Sequence, residues 1–344
     1  MTSRTFTFLV ILLATASTSL AADAEDSSVK LEPVERWTNI FAGRDAEFHF
    51  TVKATRAFEG RAEWSVSIEQ ATLVRRGADV SASPDRPAKL TVRFTAPPVR
   101  EGVVLRAPLV VRILGADGKT RSRVEKVLWI FPESPFAGRS KWLKELNIIL
   151  FDPAHTTAAV LTKAGVPFEE QNNLAALSDL RKGVLVIGEG ASFKEEPSLA
   201  AILVKLAARG LPVLCLAPSE GTLSLPSAGE MGPQGLTLRR RSVISRLDKR
   251  LDALAWPADG KIVSSSLKLG VEDGALSGEV VAREGGWPWL EMEHEGKGRL
   301  IVCGFGIVKH WAEGPAPRFL FATLLKRLAE ADKIGPGERE EADR

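Results

Sequence analysis

Cysteine is scarce in this 344-residue chain: only Cys215 and Cys303 occur, no CxxC is present, and together with four scattered histidines they match no zinc-ligand spacing. No metal and no cofactor is therefore expected. Both cysteines stand in apolar runs, PVLCLA and LIVCGF. A disulfide between neighbouring strands and two buried free thiols are both compatible with that placement. Long apolar runs are also missing beyond the N-terminus: none reaches the roughly twenty residues a bilayer span requires. A charge excess is lacking too, since 46 Lys and Arg stand against 43 Asp and Glu, a formal net charge of +3. That balance speaks against a nucleic-acid partner. The one basic cluster, Arg239-Arg240-Arg241, has no aromatics alternating with it and reads as a solvated strand end or loop. No G-x-S-x-G nucleophile turn is present. Gly188-Glu189-Gly190 lacks the third glycine of a dinucleotide fingerprint and puts an acid where a pyrophosphate would approach. No internal repeat is found.

At the N-terminus, Arg4 precedes an apolar run from Phe6 to Ala16, and small residues follow up to Ala21-Ala22. A charged start, a short apolar stretch and a small-residue site describe a secretory signal, residues 1–21, cleaved after Ala21 or Ala22. The mature chain is expected outside the cytoplasm, secreted or periplasmic, with no membrane span.

From Val29 to Phe131 the texture changes to short alternating runs: Ala46–Val52, Ala62–Ile68, Leu90–Phe94, Val103–Leu114 and Val124–Ile130, separated by turn clusters. Strands at this spacing without helical periodicity predict an all-β, immunoglobulin-like sandwich over residues 22–133, with Trp64 and Trp129 as core residues, one per sheet. A Pro- and Gly-containing segment with a short amphipathic piece, 134–145, reads as the linker.

The remainder, 146–333, is organised around Gly183–Gly221. GVLVIGEG, the helix-patterned PSLAAILVKLAARG and LPVLCLAPSEG form a β-α-β crossover with strands buried on both faces, hence an α/β three-layer domain with a mostly parallel sheet. Around it the pattern predicts a strand over Asn147–Phe151, a helix over Thr156–Ala164, a short strand over Val166–Phe168, and a helix over Asn172–Leu180. After an atypical Gly-, Pro- and Ser-rich region from Thr222 to Gly286, containing a helix over Ile244–Leu254, the strands return at Trp287–Leu290 and Gly298–Phe305. A helix over Pro317–Ala329 closes the domain, and residues 334–344 read as a disordered tail.

A strand ending in a Gly-rich loop, then ARGLPVLCLAPSEG, then GKGRLIVCGFGI with PAPRFLFATLLKRL, resembles the class I glutamine amidotransferase-like fold over roughly residues 146–331. The nearest flavour is the non-catalytic version attached to bacterial carbohydrate-active enzymes, such as the middle domain of certain β-galactosidases. In the catalytic members, the resemblance implies a cysteine on a G-x-C-x-G turn and a downstream His-x-Glu. Here Cys215 lies in VLCLA, Cys303 follows Val302, and His310 has its nearest following glutamate, Glu313, three residues on instead of two. The amidotransferase mechanism is unsupported.

In a parallel sheet the ligand crevice lies outside the carboxyl ends of the strands, so Asp152, His155, Glu189, Ser219, Glu220 and His310 form the candidate crevice. Trp287, Trp289 and Trp311 form a candidate aromatic platform, with a lid over the core as the plainer reading. The charged segment Leu247–Leu254 reads as a solvated face or a contact with the N-terminal domain. The expectation is an exported, non-catalytic binding or structural protein that engages a glycan or another exported protein. Two alternatives remain: a carbohydrate-active hydrolase using carboxylates at the strand ends, or a subunit of a larger envelope assembly.

Overall fold

A computed structural model describes residues 28–69, 71–226, 232–272, 275–294 and 298–330. The expected signal segment, 1–21, and the tail, 334–344, lie outside the described residues. Among the described residues no helix is long and apolar enough to cross a membrane.

The first part of the chain forms β1 (Val29–Pro33), β2 (Asn39–Phe41), β3 (Asp45–Ala54), β4 (Phe58–Ile68), β5 (Ala71–Ala82), β6 (Ala88–Thr95), β7 (Leu105–Gly115) and β8 (Thr120–Phe131). They make a five-stranded sheet, β2-β8-β7-β4-β5, and a three-stranded sheet, β1-β3-β6. Alternation divides the faces. In β3, Ala46, Phe48, Phe50 and Val52 are buried between exposed or half-buried neighbours, and in β7 Ala107, Leu109, Val111 and Ile113 turn inward. The inward sets of both sheets share one core.

Two features differ from expectation. Trp64 and Trp129 do not lie one per sheet: β4 and β8 belong to the same sheet, with Trp64 in its core and Trp129 packed against the core of the α/β part. Strand β5 has no counterpart among the alternating runs because every side chain from Ala71 to Asp79 is exposed or half-buried, which erases the apolar period.

The second part contributes α1 (Ser140–Glu145), β9 (Ile148–Phe151), α2 (Thr156–Lys163), β10 (Glu169–Glu170), α3 (Leu174–Ser178), β11 (Val184–Ile187), α4 (Pro197–Ala208) and β12 (Val213–Leu216). It continues with β13 (Thr222–Ser224), β14 (Gly235–Arg239), α5 (Val243–Leu247), β15 (Ser265–Glu272), β16 (Ala275–Ala282), β17 (Trp289–Glu293), β18 (Arg299–Cys303) and α6 (Pro315–Glu330). A seven-stranded sheet runs β10-β9-β11-β12-β18-β17-β14; its first five strands are parallel, and β17 and β14 join antiparallel.

All residues of β9, β11 and β12 are buried, as strands covered on both faces must be. Leu150, Val186, Leu214 and Ile301 face α1, α2, α5 and α6. Leu185, Ile187, Val213 and Val302 face α3, α4 and a small antiparallel sheet, β13-β16-β15, supplied by the atypical region. In α6, with prolines in its first turn, Leu320, Phe321, Leu324, Leu325 and Leu328 are fully buried. Each such side chain contributes ~1.5–3 kcal/mol.

The same alternation decides between the two readings of the cysteines. Cys215 packs into the core on one side of the sheet and Cys303 into the core on the other, so both are free and buried.

The strand expected at Val166–Phe168 is displaced: only Glu169–Glu170 pairs with β9, and Val166 is apolar because it packs in the core. The helix expected over Ile244–Leu254 stops at Leu247. Asp248 adopts extended backbone and its carboxylate accepts from the Arg250 amide at 3.0 Å, a local bond that competes with helix.

The two parts are joined by packing and by a guanidinium clamp. The segment expected as a linker buries Phe136 and Leu143, and Phe131 meets Phe319 at 4.7 Å between ring centroids. Arg318 donates to the Trp311 carbonyl (2.7 Å), the Glu133 carbonyl (2.9 Å) and the Glu133 carboxylate (2.8 Å), and lies over the Phe41 ring at 4.5 Å. Arg44 stacks on Phe41 as well, also at 4.5 Å, and pairs with Glu133.

Candidate functional site at the strand ends

Asp152 follows β9, Glu189 follows β11, Ser219 and Glu220 follow β12, and His310 lies in the turn after β18, so all sit beyond the carboxyl ends of parallel strands. Their side chains nevertheless serve separate local structures.

Asp152 is buried. Its Oδ2 accepts from the Ala158 amide in the first turn of α2 at 2.8 Å, where the free amides of a helix start favour a carboxylate. Its Oδ1 has no hydrogen-bond partner and faces the backbone of Gly188, where an added Cβ would stand 2.1 Å away. Glycine at 188 is thus set by close approach of two strand ends. His155 begins α2 with φ 55° and holds an exposed contact with Glu170, Nδ1 to Oε1 2.7 Å.

Glu189 is drawn across the sheet. Its amide donates to Thr157 Oγ1 at 2.9 Å, and its Oε2 accepts from the Val308 amide at 2.7 Å. Burial pushes its carboxyl above the ordinary carboxylate value, opposed by the Val308 and Lys309 amides and then by the charges of His310 and Lys309. The carboxylate therefore pins the Ile307–Glu313 turn. His310 is itself buried: Nδ1 meets Glu313 Oε2 at 2.6 Å, and the ring stands edge-on to Trp256 at 6.1 Å. Glu313 Oε2 also accepts from the Ala258 amide at 3.0 Å, so this pair ties two loops together.

Ser219 is exposed, and Glu220 pairs in solvent with Lys194 at 3.2 Å. The six residues thus separate into an inner group, with Asp152 and His310 buried and Glu189 half-buried, and a peripheral one. The aromatic candidates divide too. Trp289 is fully buried in β17, and Trp311 is buried against Phe321. Trp287 is half-buried, with the Arg240 guanidinium 4.3 Å above its ring. Arg241 pairs with Glu284, so two members of the basic triplet are engaged at this end of β14.

Sequence reasoning passed over a second location. A groove of 630 Å³ between the two parts is lined by Gly102, Arg139, Arg246, Lys249, Arg250 and Lys326 among others. The available signal was the charged segment Leu247–Leu254, which does contact the N-terminal part through Asp252.

No protein-family model and no curated protein matches the sequence. Among solved structures, the sporulation control protein Spo0M of Bacillus subtilis is 15% identical with TM-score 0.24, over 30% of this chain and 49% of that one. A β-glucosidase of Listeria innocua in complex with glucose is 11% identical with TM-score 0.22, over 30% and 16%. A Bacteroides fragilis protein assigned as a β-galactosidase is 9% identical with TM-score 0.23, over 56% and 39%. The chain spans about half or less of each of these structures.

Proposed function

We propose that the chain is an exported, non-catalytic binding or structural protein that engages a glycan or another exported protein. In this reading an immunoglobulin-like sandwich (22–133) precedes an amidotransferase-like α/β domain (146–333) without the family's nucleophile. The observation that carries it is the Glu189 carboxylate: the acid best placed at the centre of the strand ends holds the Val308 amide and is already engaged as a structural group. Both thiols are enclosed in core, which supports the same view.

The test is a glycan array on the mature chain, run beside a hydrolysis assay on the same glycans. Binding without turnover is expected. Turnover lost in both Glu189→Gln and Glu220→Gln would replace this reading with the carboxylate hydrolase. A concentration-dependent mass in light scattering would favour an assembly subunit.

A further inference from the structure

The groove between the two parts has one wall from Pro132–Arg139, a second from Ser245–Arg250, and a third from α6 at Phe319–Lys326. Its lining carries five basic side chains, Arg139, Arg246, Lys249, Arg250 and Lys326, against a single acid, Asp248. The whole chain has 46 basic residues against 43 acidic ones, so this one groove concentrates a larger positive excess than the complete sequence carries.

The acid is also spent. Asp248 is bound side-on by Arg250, with Nε to Oδ1 at 2.9 Å and Nη2 to Oδ2 at 2.7 Å. Lys326 leans on Glu330 at 3.5 Å. Arg139, Arg246 and Lys249 have no ion-pair partner among the described residues. Arg44, Arg93, Arg123 and Arg327 each meet a carboxylate, so what sets the groove apart is that its unpaired cations line one concave space. Like charges gathered without counter-charge repel wherever they stand within a Debye length of about 8–10 Å of one another. An anion seated there would relieve that repulsion, and clefts lined by one sign of charge raise the local concentration of such ligands.

We propose that this groove binds an acidic oligosaccharide bearing carboxylate or sulfate groups. The proposal rests on the binding-protein reading above and supplies its place and ligand class. The volume lies within the ~300–1,000 Å³ usual for small-ligand sites, which also favour domain interfaces. Arginine forks match planar oxyanions. Ser245 and Thr323 donate their hydroxyls to the carbonyls of Ser242 (3.0 Å) and Phe319 (2.8 Å), and Ser134 Oγ accepts from the Phe136 amide (3.1 Å), so Ser245 and Thr323 meet a sugar hydroxyl as acceptors while Ser134 keeps its O–H to donate. A single aromatic, Phe319, lines the groove, so the stacking ladder of a single-stranded nucleic acid is missing.

The experiment titrates the mature chain with a tetra-galacturonide, a neutral tetrasaccharide and sodium sulfate. It compares the parent with Arg246→Ala/Lys249→Ala and with Lys205→Ala, an exposed change on α4 away from the groove. All three removed side chains are exposed, and unchanged melting verifies the fold. The acidic tetramer is expected to bind with salt-sensitive affinity, weakened about tenfold or more in the double variant and unchanged in the control. Equal loss in both variants, or none in the double variant, removes the groove as the site. Tighter binding of the neutral sugar overturns the acidic class while leaving a glycan-binding protein standing. Sulfate binding as tightly as the tetramer reduces the site to a simple anion site and overturns the oligosaccharide. No binding by any probe overturns the proposal and leaves the exported-protein partner as the remaining form of the binding reading.

Discussion

Asp252 and Asn39, 213 residues apart, hold each other by reciprocal hydrogen bonds: the Asn39 amide donates to Asp252 Oδ2 at 2.8 Å, and the Asp252 amide donates to Asn39 Oδ1 at 3.0 Å. The same carboxylate takes the Thr38 amide at 2.6 Å and the Thr38 hydroxyl at 2.7 Å, while the Asn39 side-chain amide reaches the Arg250 carbonyl at 2.9 Å. This knot joins the entry to β2 with the segment after α5. Burial raises the Asp252 pKa despite these donors, so the ionised carboxylate is held by geometry against a desolvation cost.

Replacing Asp252 by Ala strands two partly buried amides. The expected loss is about 2–3 kcal/mol in urea unfolding, with Asp252→Asn losing less because one acceptor remains. A variant as stable as the parent would mean the knot contributes nothing.

Lys126 lies beneath the same region. Its Nζ donates to the Glu35 carbonyl at 2.7 Å and stands 4.7 Å from the Phe48 ring centroid. Burial pushes its pKa down to about 8 from an ordinary 10.5, against the attraction of Glu35 and Asp252. Between those values the unfolded chain binds more protons, so this group's contribution to stability grows as pH rises from 8 towards 10.5 and is lost as pH falls back through 8. Unfolding free energies measured across that window should climb less steeply in Lys126→Met than in the parent.

Glu189→Ala should free the Val308 and Lys309 amides, seen as faster hydrogen exchange there and a loss of about 1–2 kcal/mol. Glu189→Gln should retain most protection, since an amide oxygen still accepts. Because the folded pKa of Glu189 is raised, its contribution to stability falls as pH climbs from the unfolded value through the folded one, and Gln removes that slope. Unchanged exchange in the Ala variant would exclude the pinning role.

Neither thiol should react with iodoacetamide in the native protein, and mild oxidation should not join them. Both are buried on opposite faces of the sheet, and burial pushes Cys303 up to about 12 and Cys215 up as well, leaving almost no thiolate at neutral pH. Labelling of both only after denaturation, followed by mass spectrometry, is the expected result.

Legibility followed burial. Strands β3, β4, β7 and β8 were visible because one face is apolar, and β9, β11 and β12 because both are. Strand β5 gives no signal because its solvated faces have no period, and the pattern runs past the end of α5 because Asp248 and Asp252 look helical in spacing yet turn to local and distant partners.

By itself the sequence determined the β-rich beginning, the crossover around Gly183–Gly221 and the placing of Asp152, Glu189 and His310 beyond strand ends, because apolar periodicity and glycine positions are local properties. Only the tertiary structure decided what those side chains do. Whether Glu189 is free or holds Val308, whether the cysteines share a face, and whether Arg139 meets Arg246 and Lys249 around one groove all depend on contacts between segments distant in sequence. Local patterning carries no record of such contacts, since they arise only when packed layers bring those segments together.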